Sequence, residues 1–388
     1  MKITFWIFLF IIFYTYVGYG IFLYALVRIR RIIKGKRNSN FDLTNLPTCT
    51  LIIAVFNEAS ILEEKIKNTK ELVYPDGKIN FLFVTDGSTD ESPEIIKKHE
   101  GISLMHSPER RGKIHAMHRA MNEVHTEIVI FTDANTFLNK EALINIARHY
   151  QDRTVGAVAG EKRVQIDETA DATAGEGFYW KYESALKKWD SELYSVVGAA
   201  GELFSIRRDL YIPVPPDTVL DDFMISLRIA EKGYRIVYEP DAFALETSSA
   251  SISEELKRKI RIAAGGIQSV VRLKSLLNPF HNFVLTFQYI SHRVLRWTIT
   301  PFLMIAAVII NAIIVWQTGE WLYMVLLAGQ ILFYALAIIG LTFEKRNIRI
   351  KALFIPYYFC VMNYAVLAGI KRYAFAEQKV TWEKAKRK

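Results

Sequence analysis

Thr50-Leu51-Ile52-Ile53-Ala54-Val55-Phe56-Asn57-Glu58 is an apolar, β-branched run that ends abruptly in two polar side chains. The pattern returns at Phe83-Val84-Thr85-Asp86 and at Phe131-Thr132-Asp133-Ala134-Asn135. Strands are expected over 48–55, 80–84, 102–105 and 127–131, with helices over 60–72, 91–99, 113–124 and 140–150. Strands that alternate with helices indicate an α/β unit with a mostly parallel sheet covered on both faces. In such sheets ligands bind beyond the carboxyl ends of the strands. Asn57 with Glu58, Asp86 and Asp133 are therefore expected on one rim. No G-x-G-x-x-G or Walker pattern is present, which removes support for dinucleotide and P-loop chemistry.

Around this block the chain is apolar. Of 388 residues 51% are hydrophobic, and the mean hydropathy is +0.13. The excess falls in 3–27 and 298–372. The first stretch is long enough to cross a hydrocarbon core of roughly 30 Å as a helix. It has no small-residue cleavage site before its basic flank, so it is expected to stay as a signal anchor. Two further crossings, 298–316 and 321–342, form a hairpin flanked by Trp297, Trp316 and Trp321, as interfacial anchors are. The stretch 352–370 holds Pro356, Asn363 and Gly369 and fits either a crossing or a broken, re-entrant element, which leaves three or four spans.

The net charge of +9 invites a nucleic-acid partner, but its placement argues for none. Arg28, Arg30, Arg31, Lys34, Lys36 and Arg37 directly follow the first apolar segment, and other cations cluster at 257–274, 345–351 and 384–388. Such positions meet anionic membrane lipids and orient the chain, which puts the block after residue 28 in the cytoplasm. The expected organisation is an anchor and basic flank over 1–37, a cytosolic domain over 45–250, amphipathic interface helices over 251–297, membrane helices over 298–372 and a basic tail over 373–388. Cys49 and Cys360 make no disulfide framework or metal site.

Several motifs occur in fixed order: 51–58, Val84-Thr85-Asp86-Gly87-Ser88-Thr89-Asp90, Arg110-Arg111-Gly112-Lys113, Asp133-Ala134-Asn135 and Asp221-Asp222. Each has a plain structural explanation. Asp86–Asp90 suits a turn with a helix cap. The Arg110–Lys113 turn suits a solvated helix start, and Asp221-Asp222 suits the positive end of a helix dipole. In this order, however, and flanked by membrane helices, they resemble the membrane-integrated family 2 glycosyltransferases, the group of cellulose, chitin, hyaluronan and poly-N-acetylglucosamine synthases. The likeness runs from about residue 48 to the C-terminus.

The resemblance implies a glycosyltransferase-A-type, nucleotide-binding cytosolic domain and a UDP-sugar donor. Asn57, Glu58, Asp86, Lys113 and Arg261 would bind that donor. Asp133 and Asn135 match the metal motif D-x-D and would hold Mg²⁺ or Mn²⁺. Asp222 would be the base that takes the acceptor hydroxyl's proton in an inverting transfer. Gly201, Glu202 and Asp221 fall on the acceptor side. Phe178, Tyr179, Trp180, Tyr182 and Trp189 are explained better as core or membrane-facing aromatics than as a sugar platform.

The chain leaves the family pattern at Arg258-Lys259-Ile260-Arg261-Ile262, where processive synthases carry Q-x-x-R-W. Gln268 and Arg272 make a poor, displaced copy of that motif. The expected activity is synthesis of a surface polysaccharide in the cell envelope, on the cytoplasmic face of a bacterial inner membrane. Two alternatives stand beside it: transfer of one sugar to a polyprenyl phosphate or other lipid-linked acceptor, and an inactive scaffold for partner subunits of a synthase complex.

Overall fold

The computed structural model describes residues 1–35, 41–165, 174–247, 252–346 and 350–375. Lys36, Arg37, Arg349 and the basic tail 384–388 lie outside that set, as do the side chains of Phe178 and Tyr179. Among the described residues eight strands form one sheet: β1 Cys49–Val55, β2 Ile79–Asp86, β3 Ser103–Ser107, β4 Ile128–Asp133, β5 Thr136–Leu138, β6 Val155–Gln165, β7 Leu203–Arg207 and β8 Arg235–Thr247. Their order across the sheet is β3-β2-β1-β4-β7-β6-β8-β5.

The expected alternation holds through β4. β3, β2, β1 and β4 pair in parallel, joined by the helices Ala59–Lys70, Ser92–Lys97 and Lys113–Glu123. β1 is buried at all seven positions, which is why it reads as an unbroken apolar run. The period of two divides its neighbours. Ile52, Leu82, Val84, Val129 and Phe131 join one core, and Leu51, Ile53, Phe83, Ile128 and Ile130 join the other. Beyond β4 the sheet is mixed. β7 runs antiparallel to both β4 and β6, β8 is parallel to β6, and β5 is antiparallel to β8.

Among the described residues four helices are long and apolar enough to cross a membrane: Lys2–Lys34, Thr300–Thr318, Trp321–Lys345 and Ala352–Ala374. The second and third form a hairpin at Gly319, whose φ of 60° is the left-handed conformation a glycine end-cap provides. The N-terminal helix packs on that hairpin through Phe5, Ala307, Ile314 and Tyr323, and Lys2 pairs with Glu320 at the turn. Its other end reaches the α/β unit. Tyr19 donates to the buried Asp190, which also takes His292 Nδ1 at 2.6 Å. Tyr182 Oη donates to the Tyr16 carbonyl at 3.0 Å, and the Trp189 ring lies 5.1 Å from that of Tyr24. These two aromatics of the helix Ala174–Leu193 are thus packing residues against the first helix.

The helix Ile252–Arg272 lies between the α/β unit and the last apolar helix. A methyl group on Gly369 of that last helix would stand 2.7 Å from Ala263 Cβ and 2.8 Å from Ala264 N, so the two helices touch at their backbones.

Candidate active site

The carboxyl ends of β1, β2 and β4 meet the start of the helix Lys113–Glu123. Asp86, the last residue of β2, is 5% exposed. Its Oδ2 accepts the backbone N–H groups of Arg111 at 3.0 Å and Gly112 at 2.6 Å. Its Oδ1 is buried without a hydrogen-bond partner among the described residues. Asn57 adopts a left-handed φ of 52°, tolerated by Asn because its short amide bonds locally. That amide accepts the Thr89 N–H at 2.8 Å, while the Asn57 N–H donates to Ser88 Oγ. Glu58 sits beside it, partly exposed, with its N–H on Ser92 Oγ at 3.1 Å. Asp90 accepts the Ala59 and Ser92 N–H groups, so it ties together the starts of two helices.

Arg110 stacks over Phe56, its guanidinium 4.0 Å from the ring centre. Gly87 makes this closure possible: its φ is +67°, and a Cβ there would stand 2.7 Å from the Arg110 backbone nitrogen. Phe56, Val84, Asp86, Gly112 and Lys113 line the resulting cleft.

Lys113 is the hub. Its Nζ donates to Asp133 Oδ1 at 2.9 Å and stands 3.6 Å from Asp221 Oδ2. Burial would push the amine down, but Asp133, Asp221 and Asp222 hold it well above the ordinary lysine range. Asn135 follows Asp133 in the turn to β5, partly exposed. Among the described residues no three His, Cys, Asp or Glu side chains gather as a metal-binding group. A divalent ion here would therefore have one carboxylate, one amide oxygen and groups from a ligand, a donor set that suits Mg²⁺ or Mn²⁺.

Asp221 and Asp222 open the helix Asp221–Glu231. Asp221 is buried, and its Oδ2 has no hydrogen bond among the described residues. Asp222 keeps partial exposure. Its withdrawal from water, and then Asp221 beside it, push its carboxyl up to about 7 against the pull of Lys113. A Cβ on Gly201 would lie 3.4 Å from Asp222 Oδ2 and 3.7 Å from Lys113 Nζ, so backbone alone borders the acidic pair there. Ser226 holds this approach, accepting the Ala199 N–H at 3.0 Å and donating to the Asp222 carbonyl at 2.7 Å.

Glu202 is committed to protein partners. Lys162 bridges it to Glu246, and Arg258 stands 3.5 Å from Glu202 and 3.8 Å from Glu246. Burial would raise the Glu202 carboxyl, but Lys162 and Arg258 hold it well below the carboxylate range. Its carbonyl accepts from Thr132, next to Asp133, at 2.8 Å. Arg258 thus fills the place of the expected glutamine as part of a buried charge cluster. Arg261 lies one turn further along the same helix, partly exposed.

Asp86, Lys113, Asp133, Gly201, Asp221 and Asp222 are thus brought together, with Asn57 and Glu58 at the edge and Glu202 and Arg261 at the helix Ile252–Arg272. Lys65 joins them from outside the motifs. It is fully buried, donates to the Thr136 carbonyl at 2.5 Å under the Asp133 turn, and burial pushes its amine down to about 7 against the pull of Asp133. A weak signal is present in the sequence, since Lys65 falls at helical spacing on the face of Leu62 and Ile66. Lys162 lies in β6, a strand outside the expected set.

Residues 50–213 match the family model described as glycosyl transferase family 2. The chain is 24% identical over 266 residues to the poly-beta-1,6-N-acetyl-D-glucosamine synthase of Staphylococcus aureus (strain COL), covering 67% of this chain and 63% of the synthase. The Staphylococcus epidermidis synthase is 23% identical over 230 residues, covering 58% and 55%. The chain therefore spans less than two thirds of the length of these curated relatives. A solved mannosyltransferase from Pyrobaculum calidifontis, PcManGT in complex with GDP-Man and Mn²⁺, superimposes with a TM-score of 0.69 at 25% identity, covering 95% of this chain and 99% of that one. The matching domain over residues 50–213, the mixed sheet and these relatives support a family 2 glycosyltransferase enzyme, built on a glycosyltransferase-A-type fold.

Proposed function

We propose that this chain is an inverting transferase that moves a sugar from a UDP-sugar to a surface polysaccharide at the cytoplasmic face of a cell membrane. The observation that carries the reading is the acidic pair: Asp222, partly exposed beside Gly201, has a carboxyl near 7, and Asp221 next to it stands 3.6 Å from the Lys113 amine that also holds Asp133. A base poised near neutral pH is what abstraction of a hydroxyl proton requires.

Asp86 Oδ1 is a buried acceptor with no protein partner among the described residues, and it supports nucleotide recognition with Asn57 and Glu58 at the same rim. Lys113 and Arg261 add positive charge toward the diphosphate. Asp133 and Asn135 would hold Mg²⁺ or Mn²⁺, which when bound supplies further positive charge against the diphosphate. Asp222 takes the proton of the acceptor hydroxyl while that oxygen bonds to the anomeric carbon from the face opposite the leaving group. The bond from that carbon to the phosphate oxygen breaks, and UDP leaves. Asp221 keeps the base's affinity for a proton high, and Gly201 leaves room for the acceptor. Glu202 acts on the acceptor side through its ion pairs.

The membrane reading rests on the four apolar helices. Lys2 and the Gly319 turn lie at one end of the bundle and Tyr19 with Asp190 at the other. We assign the α/β unit to the cytoplasm, with the basic residues 28–34 at its boundary. Contact of Gly369 with Ala263 supports the same side for the end of the last helix, and with it for Lys371 and Arg372.

A second reading is transfer of a single sugar, GDP-mannose being one donor to test. It is favoured by the end-to-end match to the mannosyltransferase and by Arg258 and Ile262 in the departed motif. Membranes carrying the protein are to be incubated with labelled UDP-N-acetylglucosamine, UDP-glucose and GDP-mannose, with Mg²⁺, Mn²⁺ or chelator. A ladder of polysaccharide lengths supports the synthase, and one lipid-linked sugar supports single transfer. Equal turnover by wild type and Asp222→Asn sinks both assignments of the base.

A further inference from the structure

The loop before Asp221 has no regular structure from Tyr211 to Leu220, so the position of the acidic pair depends on what holds its last residues. The helix Ile252–Arg272 does so with one face. Gln268 Oε1 accepts the Val219 N–H at 3.0 Å, and its Nε2 donates to the Asp217 carbonyl at 2.9 Å. Arg272 donates to Thr218 Oγ1 at 3.0 Å and to Asp217 Oδ2 at 2.6 Å. A Cβ on Gly265 would come within 2.8 Å of Val219 Cβ and Leu220 Cγ. Spacings of three and four put Arg258, Arg261, Gly265, Gln268 and Arg272 along one stripe. That stripe reaches from Glu202 to Asp217. On other sides the helix is pressed by Trp297 at Gly266 and by Gly369 of the last apolar helix at Ala263.

We propose that Gln268 and Arg272 are positioning residues that set the catalytic base, by clamping residues 217–220 onto a helix that is itself braced by the last apolar helix. The inference rests on the assignment of Asp222 as base. Gln268 is 6% exposed, and both ends of its amide are spent on loop backbone. Its loss frees a buried N–H and a carbonyl directly before the base. Arg261 apart, the proposed donor rim is built from β1, β2 and β4 and the start of the helix Lys113–Glu123, and it shares none of these bonds.

The test uses the full chain in lipid nanodiscs. Hydrogen exchange is followed over 217–224, with the β1–β2 region as internal control. Turnover is measured with whichever of the three nucleotide sugars the wild type consumes. Gln268→Ala is expected to speed exchange over 217–222 about tenfold while the control stays unchanged. It is expected to lower kcat about ten- to a hundredfold while leaving donor KM within about twofold. Arg272→Lys is expected to recover most of what Arg272→Ala loses. If Gln268→Ala does not fold, Gln268→Glu keeps the acceptor for Val219 and loses only the donor to Asp217. Wild-type exchange over 217–222 overturns the proposal, as does a kcat loss matched by equal losses in donor KM and melting temperature. An active Asp222→Asn would sink the base assignment instead, and the exchange rates would then decide the clamp. An inactive Asp222→Asn beside a wild-type Gln268→Ala would sink the clamp alone.

Discussion

The two halves of the sheet place acidic groups by different means. In β3-β2-β1-β4 every pairing is parallel, and β1, β2 and β4 end at the residues the site uses. Asp86 is fixed within its own neighbourhood by the N–H groups of Arg111 and Gly112. In β7-β6-β8-β5 the pairings are mixed, and the useful groups lie in loops held from a distance. Glu202 is held by Lys162 and Arg258, and the Asp221-Asp222 loop by Gln268 and Arg272. The proposed donor rim, Arg261 apart, is therefore a local property of the βα units. The proposed acceptor side is a property of how the sheet meets the helix Ile252–Arg272.

That contrast is breakable. The largest expected effect is Asp222→Asn, which removes the proposed base and should lower kcat by about 10²- to 10⁴-fold. Donor affinity, measured by equilibrium binding, should stay near wild type; if affinity falls as far as turnover, the two sides are not separate. Next is Lys162→Met. It leaves Glu202 and Glu246, both largely enclosed, with Arg258 alone, and breaking a buried pair costs about 3–5 kcal/mol. A marked fall in melting temperature, restored in part by the double change Lys162→Met with Glu246→Gln, checks it.

Asp86→Ala is expected to act on the other half. The buried Gly112 N–H and the Arg111 N–H lose their acceptor, at about 1–3 kcal/mol, and nucleotide affinity should weaken by a similar factor while the pH profile of the remaining activity is unchanged. The smallest effect is Asp221→Asn. With the Asp222 carboxyl near 7, turnover should climb as pH rises toward 7 and level off above it, because only the ionised form accepts a proton. Removing the negative neighbour lowers that affinity for protons, so the rising limb should move about one pH unit toward acid. A limb that stays in place would show that Asp221 does not tune the base.

The legibility of the chain follows the same division. β1, β2, β3 and β4 are readable because the parallel strands at the centre are covered on both faces, which writes them as apolar runs ending in polar groups. β6 and β8 are not legible in this way. β6 carries Lys162 and Arg163 after a Gly-Ala-rich stretch, and its pairing with β8 breaks register between Gly160 and Glu161. The alternation that marks a strand is lost there, and Lys162 finds its partners only in Glu202 and Glu246, far along the chain. In sequence Gln268 and Arg272 look like a spoiled motif. Their role exists only because the helix carries them past 217–219.

By itself the sequence determined that a parallel α/β core stands between apolar helices and that Asp86 and Asp133 close two of its strands, while only the family resemblance joined the Asp221-Asp222 pair to them as one expected chemistry. Those features depend on hydrophobic period, strand-end position and segment length, all of them short-range. Tertiary structure alone decided the mixed half of the sheet, the burial of Lys65 and Lys162, the enclosure that lifts the Asp222 carboxyl, and the seat of the base loop on Ile252–Arg272. Each of these depends on which distant charges and backbones come within a few ångströms, and composition along the chain carries no record of that distance.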